Sequence, residues 1–229
     1  MLIAECHSMA RLPRIVVPDI PHHITQRGNR RQMTFFDTED YQEYLKCMRQ
    51  ACTQYGVRIW SYCLMPNHVH LIVVPSSVES LAKAIGRGHE CYTRYINFKK
   101  KWRGYLWQGR FSSFPMDHGH LYECMRYVEL NPVRAKMVEM PEDYKWSSAR
   151  AHMKLIEDSF LDDLDLVVSK VADWKKYLLE AVQKDVLNNF KRHENSGRPL
   201  GPIEFLKNLE AKLGIQLIPR KPGPKSNSI

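Results

Sequence analysis

The chain has 229 residues, of which 44% are hydrophobic, a composition that supports a folded core and excludes a wholly disordered protein. Its longest apolar run, residues 71–75, is far shorter than the ~20 residues of a membrane span, and the N-terminus lacks the apolar block of a signal peptide. The net charge of +9 favours a polyanionic partner, nucleic acid before an anionic membrane.

The six cysteines show neither a CxxC pair nor a regular framework. This pattern fits reduced thiols better than disulfides or a zinc knuckle. We therefore expect a cytoplasmic, nucleoid-associated protein without a membrane partner.

The first elements in chain order are a strand and a helix. Residues 22–27 read as a strand, which is closed by a turn at Gly28. Asp37 is a good helix N-cap, and Gly56 ends the helix that follows it. The apolar positions of that helix recur at i, i+3, i+4 and i+7, and they are Tyr41, Tyr44, Leu45 and Met48.

A hairpin and a basic helix come next. Residues 57–64 and 69–74 are strand-like, and the sequence Met65-Pro-Asn-His68 between them is a turn signal. Ser76 and Glu79 resemble a capping box for a helix that runs to about residue 100.

A fourth strand, residues 110–116, and a third helix complete the pattern. That helix buries Leu121, Cys124, Met125 and Val128 and ends at Asn131-Pro132. The order β-α-β-β-α-β predicts an α+β fold of the ferredoxin-like or RRM-like type, an antiparallel sheet with helices on one face. We expect a catalytic or binding domain over residues 1–150, a helical C-terminal extension over 151–218, and a basic flexible tail over 219–229.

Positive charge is concentrated in one segment. Residues 81–116 carry eight Lys or Arg against one acid, whereas residues 139–186 carry eleven acids against seven bases. Aromatic residues alternate with the basic ones, as expected where cations follow phosphates and rings stack on unpaired bases. The segment therefore favours a nucleic-acid surface over a solvated helix face.

Two histidines open the strand at residue 68. His68 and His70 stand at i and i+2, so they point to the same face of the sheet and can ligate one divalent metal. The alternative is a pair of half-buried histidines in a hairpin. His22 and His23 face opposite ways, and one of them can line the same face as His68 and His70. A second pair, His118 and His120, falls at a helix start and is interpreted as capping or surface histidine.

The third helix carries a tyrosine and an asparagine on one side. Tyr127 and Asn131 are four residues apart and project together. A phenol is a poor nucleophile unless a neighbouring cation favours the phenolate. Spacing alone leaves Tyr127 open between packing and catalysis.

Four ordered motifs together resemble a known family. They are Arg27-Gly-Asn-Arg30, Met65-Pro-Asn-His-Val-His70, Leu106-Trp-Gln-Gly-Arg-Phe111 and Arg126-Tyr-Val-Glu-Leu-Asn-Pro-Val-Arg134. Over about residues 10–150 the chain is similar to the REP-associated tyrosine transposases, which are relatives of single-strand insertion-sequence transposases in the HUH endonuclease superfamily.

The resemblance implies a mechanism and assigns residues to it. His68 and His70 would ligate Mg²⁺ or Mn²⁺, and Tyr127 would be the nucleophile. Asn131 stands where relatives often place Gln as a third metal ligand. The implied activity is metal-dependent cleavage and rejoining of single-stranded or hairpin DNA through a 5′-phosphotyrosine intermediate.

The same resemblance, with the charge pattern, suggests DNA-binding residues. Four follow the first strand and would grip a short single-stranded element: Arg27, Asn29, Arg30 and Arg31. Others would contact phosphates, from the basic segment and from the tail: Lys99, Lys100, Lys101, Arg110, Arg220 and Lys221. The sequence leaves open whether the protein is a monomer or a homodimer.

Three alternative functions remain at the level of sequence. The first is a non-catalytic module that binds single-stranded nucleic acid on an RRM-like sheet. The second is another HUH enzyme, either a replication initiator or a relaxase, although relaxases place their tyrosine near the N-terminus. The third is a metallohydrolase with a water nucleophile, which forms no covalent protein–DNA product.

Overall fold

The computed structural model describes residues 14–180 and 184–218. Four strands form one antiparallel sheet in the order β2-β3-β1-β4. They are β1 (His22–Arg27), β2 (Val57–Met65), β3 (His68–Pro75) and β4 (Ser112–Pro115). The strand order and the antiparallel pairing are those of the ferredoxin-like fold, so the predicted fold class is confirmed.

The helices divide into those between the strands and those after them. In chain order they are α1 (Thr38–Gln54), α2 (Ser80–Lys100), α3 (His118–Glu129), α4 (Asn131–Arg134), α5 (Ala149–His152), α6 (Leu164–Val168), α7 (Trp174–Leu179), α8 (Lys184–Ser196) and α9 (Ile203–Leu213). Within the described ranges, no helix combines the length and the apolar character needed to cross a bilayer.

Side-chain caps explain where the first two helices begin. The Asp37 carboxylate accepts a hydrogen bond from the amide of Asp40, and the Asp40 carboxylate accepts one from the amide of Asp37. The predicted N-cap of α1 is therefore confirmed. For α2 the prediction was wrong by one residue. Ser77 and Ser80 form the reciprocal pair instead, because each hydroxyl accepts a hydrogen bond from the other's amide at 3.2 Å.

Alternation along the strands builds a core on each face of the sheet. Ile24, Leu71 and Val73 face α1 and α2 and join the core beneath those helices. The alternate residues of the strands, such as Ile72 and Phe114, point to the other face and pack against α3. The second face is therefore also covered, by α3 and by residues of the C-terminal extension.

The C-terminal extension packs on this second core. Its buried residues there are Val167, Val168, Trp174, Leu178, Phe190 and Leu200. A polar anchor joins it to α3, since the indole Nε1 of Trp174 donates to the buried carboxylate of Glu129 at 2.8 Å. The boundary proposed at residue 150 stays a prediction, and the tail 219–229 lies outside the described residues.

One cysteine pair departs from the expectation of reduced thiols. Cys47 on α1 and Cys91 on α2 form a disulfide, with Cα atoms 5.9 Å apart. The expectation was wrong for this pair because it rested on sequence spacing, whereas packing of the two helices brings the residues together. Cys52, Cys63 and Cys124 are free and buried.

Candidate functional site

Three histidines lie together on the sheet face that carries α3. His68 and His70 on β3 have ring centroids 5.0 Å apart. His23, on the adjacent strand β1, stacks on His70 at 5.2 Å, and its Nε2 lies 3.0 Å from His70 Nδ1. His22 points to the other face, where its Nδ1 pairs with the carbonyl of Ile20. Because side chains alternate along a strand, His23 and not His22 faces His68 and His70.

Burial keeps these imidazoles neutral. It lowers the pKa of His23 from 6.5 to about 3. Burial, then the charge of Arg27, lowers the pKa of His68 to about 4. The pKa of His70 is also well below its ordinary value, through burial first and then through His23 and His68. Neutral imidazoles hold a free nitrogen lone pair, which is the form that binds a metal.

Tyr127 of α3 stands over the histidines. Its ring centroid is 6.0 Å from His70 and 6.1 Å from His23, edge-on to both. Only 5% of the residue is exposed. The ring of Phe190, from α8, stacks on it at 5.2 Å.

Arg134 holds Tyr127 from the other side. Its guanidinium lies 4.4 Å from the centre of the tyrosine ring, and Nη2 donates to the Tyr127 carbonyl at 2.6 Å. Burial raises the pKa of Tyr127 above 10, an effect that Glu194 strengthens and Arg134 opposes. The phenol is therefore protonated in this arrangement. A signal for Arg134 existed in the sequence, because it closes the motif that contains Tyr127.

Glu194 of α8 was missed by the sequence analysis. Its Oε1 lies 3.6 Å from His23 Nδ1 and 3.7 Å from His70 Nδ1. Burial raises the pKa of Glu194 to about 7, and Tyr127 is the first of the groups that oppose this. Nothing near residue 194 in the sequence signals this role, because only tertiary packing carries α8 to the site.

The cluster fits a divalent cation. The candidate ligand atoms of His23, His70 and Glu194 all lie within 4.8 Å of one another. His23 Nδ1 and Glu194 Oε1 are buried and lack hydrogen-bond partners among the described residues. Buried polar atoms without partners are costly, and a cation would satisfy both. Imidazole with carboxylate is also a donor set that divalent metals accept.

Asn131 lies one turn beyond Tyr127, as the spacing predicts. Its amide Nδ2 donates to the Tyr127 carbonyl at 3.4 Å. Its role as a metal ligand stays a prediction. Of the predicted site residues, His70 contacts the rings of both His68 and Tyr127, and His23 and Glu194 lie beside it. His68 lies at the margin, where its Nδ1 pairs with Asn67 Oδ1 at 2.6 Å.

The predicted phosphate contacts differ in their surroundings. Lys99 is held by the carboxylates of Asp37 and Asp40, each 2.8 Å from its Nζ, so its charge is already compensated. Lys100 lies over the ring of Phe36 at 4.1 Å. Lys101 is an exposed residue at the C-cap of α2. Lys99 is therefore less available to a phosphate than Lys100 or Lys101.

The segment that follows β1 is joined to the loop before β4. The amide of Asn29 donates to the carbonyl of Leu106 at 2.8 Å, and the amide of Gln108 donates to the carbonyl of Arg27 at 2.8 Å. Arg27 pairs with His68 in the sheet, so the C-terminal end of β1 lies beside the first residue of β3. Arg30 and Arg31 are exposed beside it, both with positive φ. Arg220 and Lys221 lie outside the described residues.

Comparisons with known proteins give a family and a fold. The profile described as "Transposase IS200 like" matches residues 16–131. A Haemophilus influenzae protein provisionally described as a REP-associated tyrosine transposase is 27% identical over 128 residues, which cover 51% of this chain and 73% of that protein. A solved structure of a REP-associated tyrosine transposase bound to a REP hairpin matches with a TM-score of 0.56 at 18% identity, over 69% of this chain and 90% of that one. This structural likeness supports the fold.

Proposed function

This chain belongs to the IS200-like transposase family, and from that premise we propose that it cuts and rejoins single-stranded or hairpin DNA through a covalent link to Tyr127. One observation carries the proposal. The ring of Tyr127 lies about 6 Å from two neutral imidazoles, with 6.0 Å to His70 and 6.1 Å to His23. A tyrosine beside a candidate metal-binding cluster is an arrangement that suits phosphoryl transfer to a phenol.

The reaction is a displacement at phosphorus. Tyr127 Oη attacks the scissile phosphate, its bond to phosphorus forms, and the bond from phosphorus to the 3′ oxygen breaks. The phenolic proton is lost, the 3′ oxygen is protonated, and the products are a 5′-phosphotyrosine and a free 3′-OH. Attack on the phosphotyrosine by the same or another 3′-OH reverses these changes, so strands are rejoined without a nucleotide cofactor.

The proton of Tyr127 needs an acceptor because burial disfavours the phenolate. The carboxylate of Glu194 interacts with the phenol and can take the proton. Arg134, 4.4 Å from the centre of the ring, lies where its positive charge stabilises the developing phenolate.

A divalent cation is the proposed cofactor, held by His68 and His70 with Glu194, His23 or Asn131 completing the set. When bound, such an ion supplies Lewis-acid polarisation of the scissile phosphate. Mg²⁺ and Mn²⁺ are the candidates, and the imidazole nitrogens favour Mn²⁺ because Mg²⁺ prefers oxygen ligands.

Substrate binding is proposed to use the cations around the site. Four residues lie at or just after the C-terminal end of β1, beside His68, where they can grip unpaired nucleotides: Arg27, Asn29, Arg30 and Arg31. Lys100, Lys101 and Arg110 supply phosphate contacts, to which Arg220 and Lys221 would add from the tail. The REP hairpin bound to the transposase of the matched solved structure supports a hairpin substrate for this chain. The protein is proposed to act in the cytoplasm, at the nucleoid, as a monomer or a homodimer.

The test is denaturing electrophoresis of the protein with labelled hairpin DNA and Mn²⁺, with and without EDTA. The proposal predicts a slowly migrating protein–DNA adduct that EDTA abolishes. Cleavage without any adduct would support a water nucleophile. Tight binding without cleavage, across a diverse pool of hairpins, would support a non-catalytic nucleic-acid-binding module instead.

A further inference from the structure

A groove with a volume of about 860 Å³ lies between α2 and residues 104–111, away from Tyr127. Its floor is a stripe of α2 at helical spacing, formed by Ala82, Gly86, His89 and Thr93. The floor is open because a Cβ at Gly86 would meet no atom within 4 Å. A volume of this size suits a ligand of nucleotide dimensions and is too small for a duplex.

Aromatic side chains line the wall of this α2 groove. Trp107 and Phe111 are buried in it, whereas the Tyr105 ring is 89% exposed. The guanidinium carbon of Arg14 lies over the Phe111 ring, 3.6 Å from its centre. An exposed ring above an apolar floor is the kind of surface on which an unpaired base stacks.

The rim of the groove carries positive charge without counterions. Within the described ranges, Arg14, Arg94 and Arg110 form no ion pair with a carboxylate, and Glu90 is occupied by Arg87 at 2.9 Å. Burial and the charge of Arg110 together lower the pKa of Arg14 to about 10. Uncompensated arginines around an apolar groove match a ligand with both phosphates and bases.

A smaller cavity of about 150 Å³ lies between the groove and Glu194 of the candidate site. It shares Arg14, Arg110 and Phe111 with the α2 groove, and it reaches Glu194 at its other end. The cavity runs along β4, which is an outer strand of the sheet. Ser113 lines it, and the Ser113 hydroxyl is buried without a hydrogen-bond partner among the described residues.

We propose that a single-stranded DNA segment leaves the Tyr127 site, passes the outer edge of β4 and seats an unpaired base in the α2 groove against Tyr105. This inference rests on the proposed function, because it takes DNA as the substrate. It adds a second subsite on the opposite face of the sheet, with the arginines holding phosphates and the α2 stripe receiving the base.

The test measures binding in EDTA, so that no strand is cut. Three probes are compared. The first is a hairpin alone, and the second is the same hairpin with a single-stranded flank of mixed sequence, about six nucleotides long, on each side. The third is that flanked hairpin with abasic nucleotides in the flanks. Wild-type protein should bind the flanked hairpin about tenfold more tightly than the hairpin alone, and the abasic flank should give much less of this gain.

Gly86→Met fills the groove and should abolish the gain from the flank while leaving affinity for the bare hairpin unchanged. The fold should survive, since Met is a better helix former than Gly. Gly86→Ala is the matched control and should keep the gain. Arg94→Gln should also reduce it, whereas Lys83→Gln, an exposed α2 residue outside the groove, should not.

Two results would overturn the subsite: an undiminished gain in folded Gly86→Met, or an equal gain from the abasic flank. Failure of the proposed function would look different. In that case no DNA probe binds, or no adduct forms although the groove variants behave as expected.

Discussion

The ring of Phe190 on α8 stacks on the ring of Tyr127 on α3, with their centroids 5.2 Å apart. The two residues belong to different parts of the chain, since α8 lies in the C-terminal extension. Phe190 is 1% exposed, so the contact belongs to the core and also covers Tyr127, the proposed nucleophile. The extension therefore forms one wall of the candidate site, to which it contributes both Phe190 and Glu194.

Replacing Phe190 should expose the proposed nucleophile, Tyr127. Phe190→Leu keeps most of an apolar side chain, so the loss of stability should be well below the ~3–5 kcal/mol of a truncation to Ala. Because Tyr127 is no longer covered by a ring, adduct formation with hairpin DNA should become faster. Rates of adduct formation well below the unfolding temperature measure this. Leu187→Met on the same helix is the control, and a slower rate in Phe190→Leu at unchanged stability would contradict the prediction.

Glu194 is expected to bind the metal directly. Glu194→Gln removes the charged carboxylate beside His23 and His70, so affinity for Mn²⁺ should fall at least about tenfold. Titration of the protein with Mn²⁺, followed by the electron paramagnetic resonance signal of the free ion, gives this affinity without any reaction. Glu204→Gln, on the exposed side of α9, should bind as wild type does. Equal affinities of the two variants would remove Glu194 from the ligand set.

Glu129 should be required for stability. Its buried carboxylate accepts from Ser148, from Trp174 Nε1 at 2.8 Å and from His152, and it joins α3 to the C-terminal extension. Glu129→Ala leaves these donors without an acceptor, and we expect a loss of about 3–5 kcal/mol in the free energy of unfolding. Urea denaturation measures it. Glu123→Ala on the same helix should cost less than about 0.5 kcal/mol, and similar losses in both variants would be inconsistent with the anchor.

His89 should make the protein acid-labile. Burial lowers its pKa from 6.5 to about 3, and its Nε2 lies 3.2 Å from the hydroxyl of Tyr44. Below pH 6.5 the unfolded chain binds a proton on His89, whereas the folded chain does not bind it until about pH 3. The contribution of neutral His89 to the free energy of unfolding is therefore complete above pH 6.5 and declines as the pH falls. The loss should reach about 2 kcal/mol near pH 5.

Urea denaturation of metal-free protein at about pH 7.5 and about pH 5 tests this, with His89→Gln for comparison. The variant lacks the titrating group, so its stability should fall less over that interval. Equal losses in wild type and variant would place the acid sensitivity elsewhere.

Local patterns in the sequence predicted much of the sheet and part of the site. The strand at 22–27 has the bounds that the structure shows, and Tyr44 and Met48 are fully buried as the helical spacing requires. These predictions succeed because spacing decides which residues of a strand or helix share a face. His68 and His70 lie together for the same reason.

What the sequence could not show depends on distant packing. Glu194 and Phe190 reach the site only because α8 docks across β1 and β4, and no local spacing encodes that docking. The Cys47–Cys91 disulfide likewise follows from the packing of α1 on α2. The charge run at 99–101 indicated phosphate contacts, yet Lys99 is held by Asp37 and Asp40 of another element. Charge patterns show where cations are, and tertiary structure decides which of them stay free.

The central claim is that Tyr127 becomes covalently attached to DNA. Peptide mapping by mass spectrometry of the adduct formed with hairpin DNA and Mn²⁺ tests this most directly, because the chain contains eleven tyrosines. We expect one modified peptide, with a 5′-phosphonucleotide on Tyr127, and no adduct from a folded Tyr127→Phe protein. A nucleotide on another residue, or an undiminished adduct from Tyr127→Phe, would contradict it.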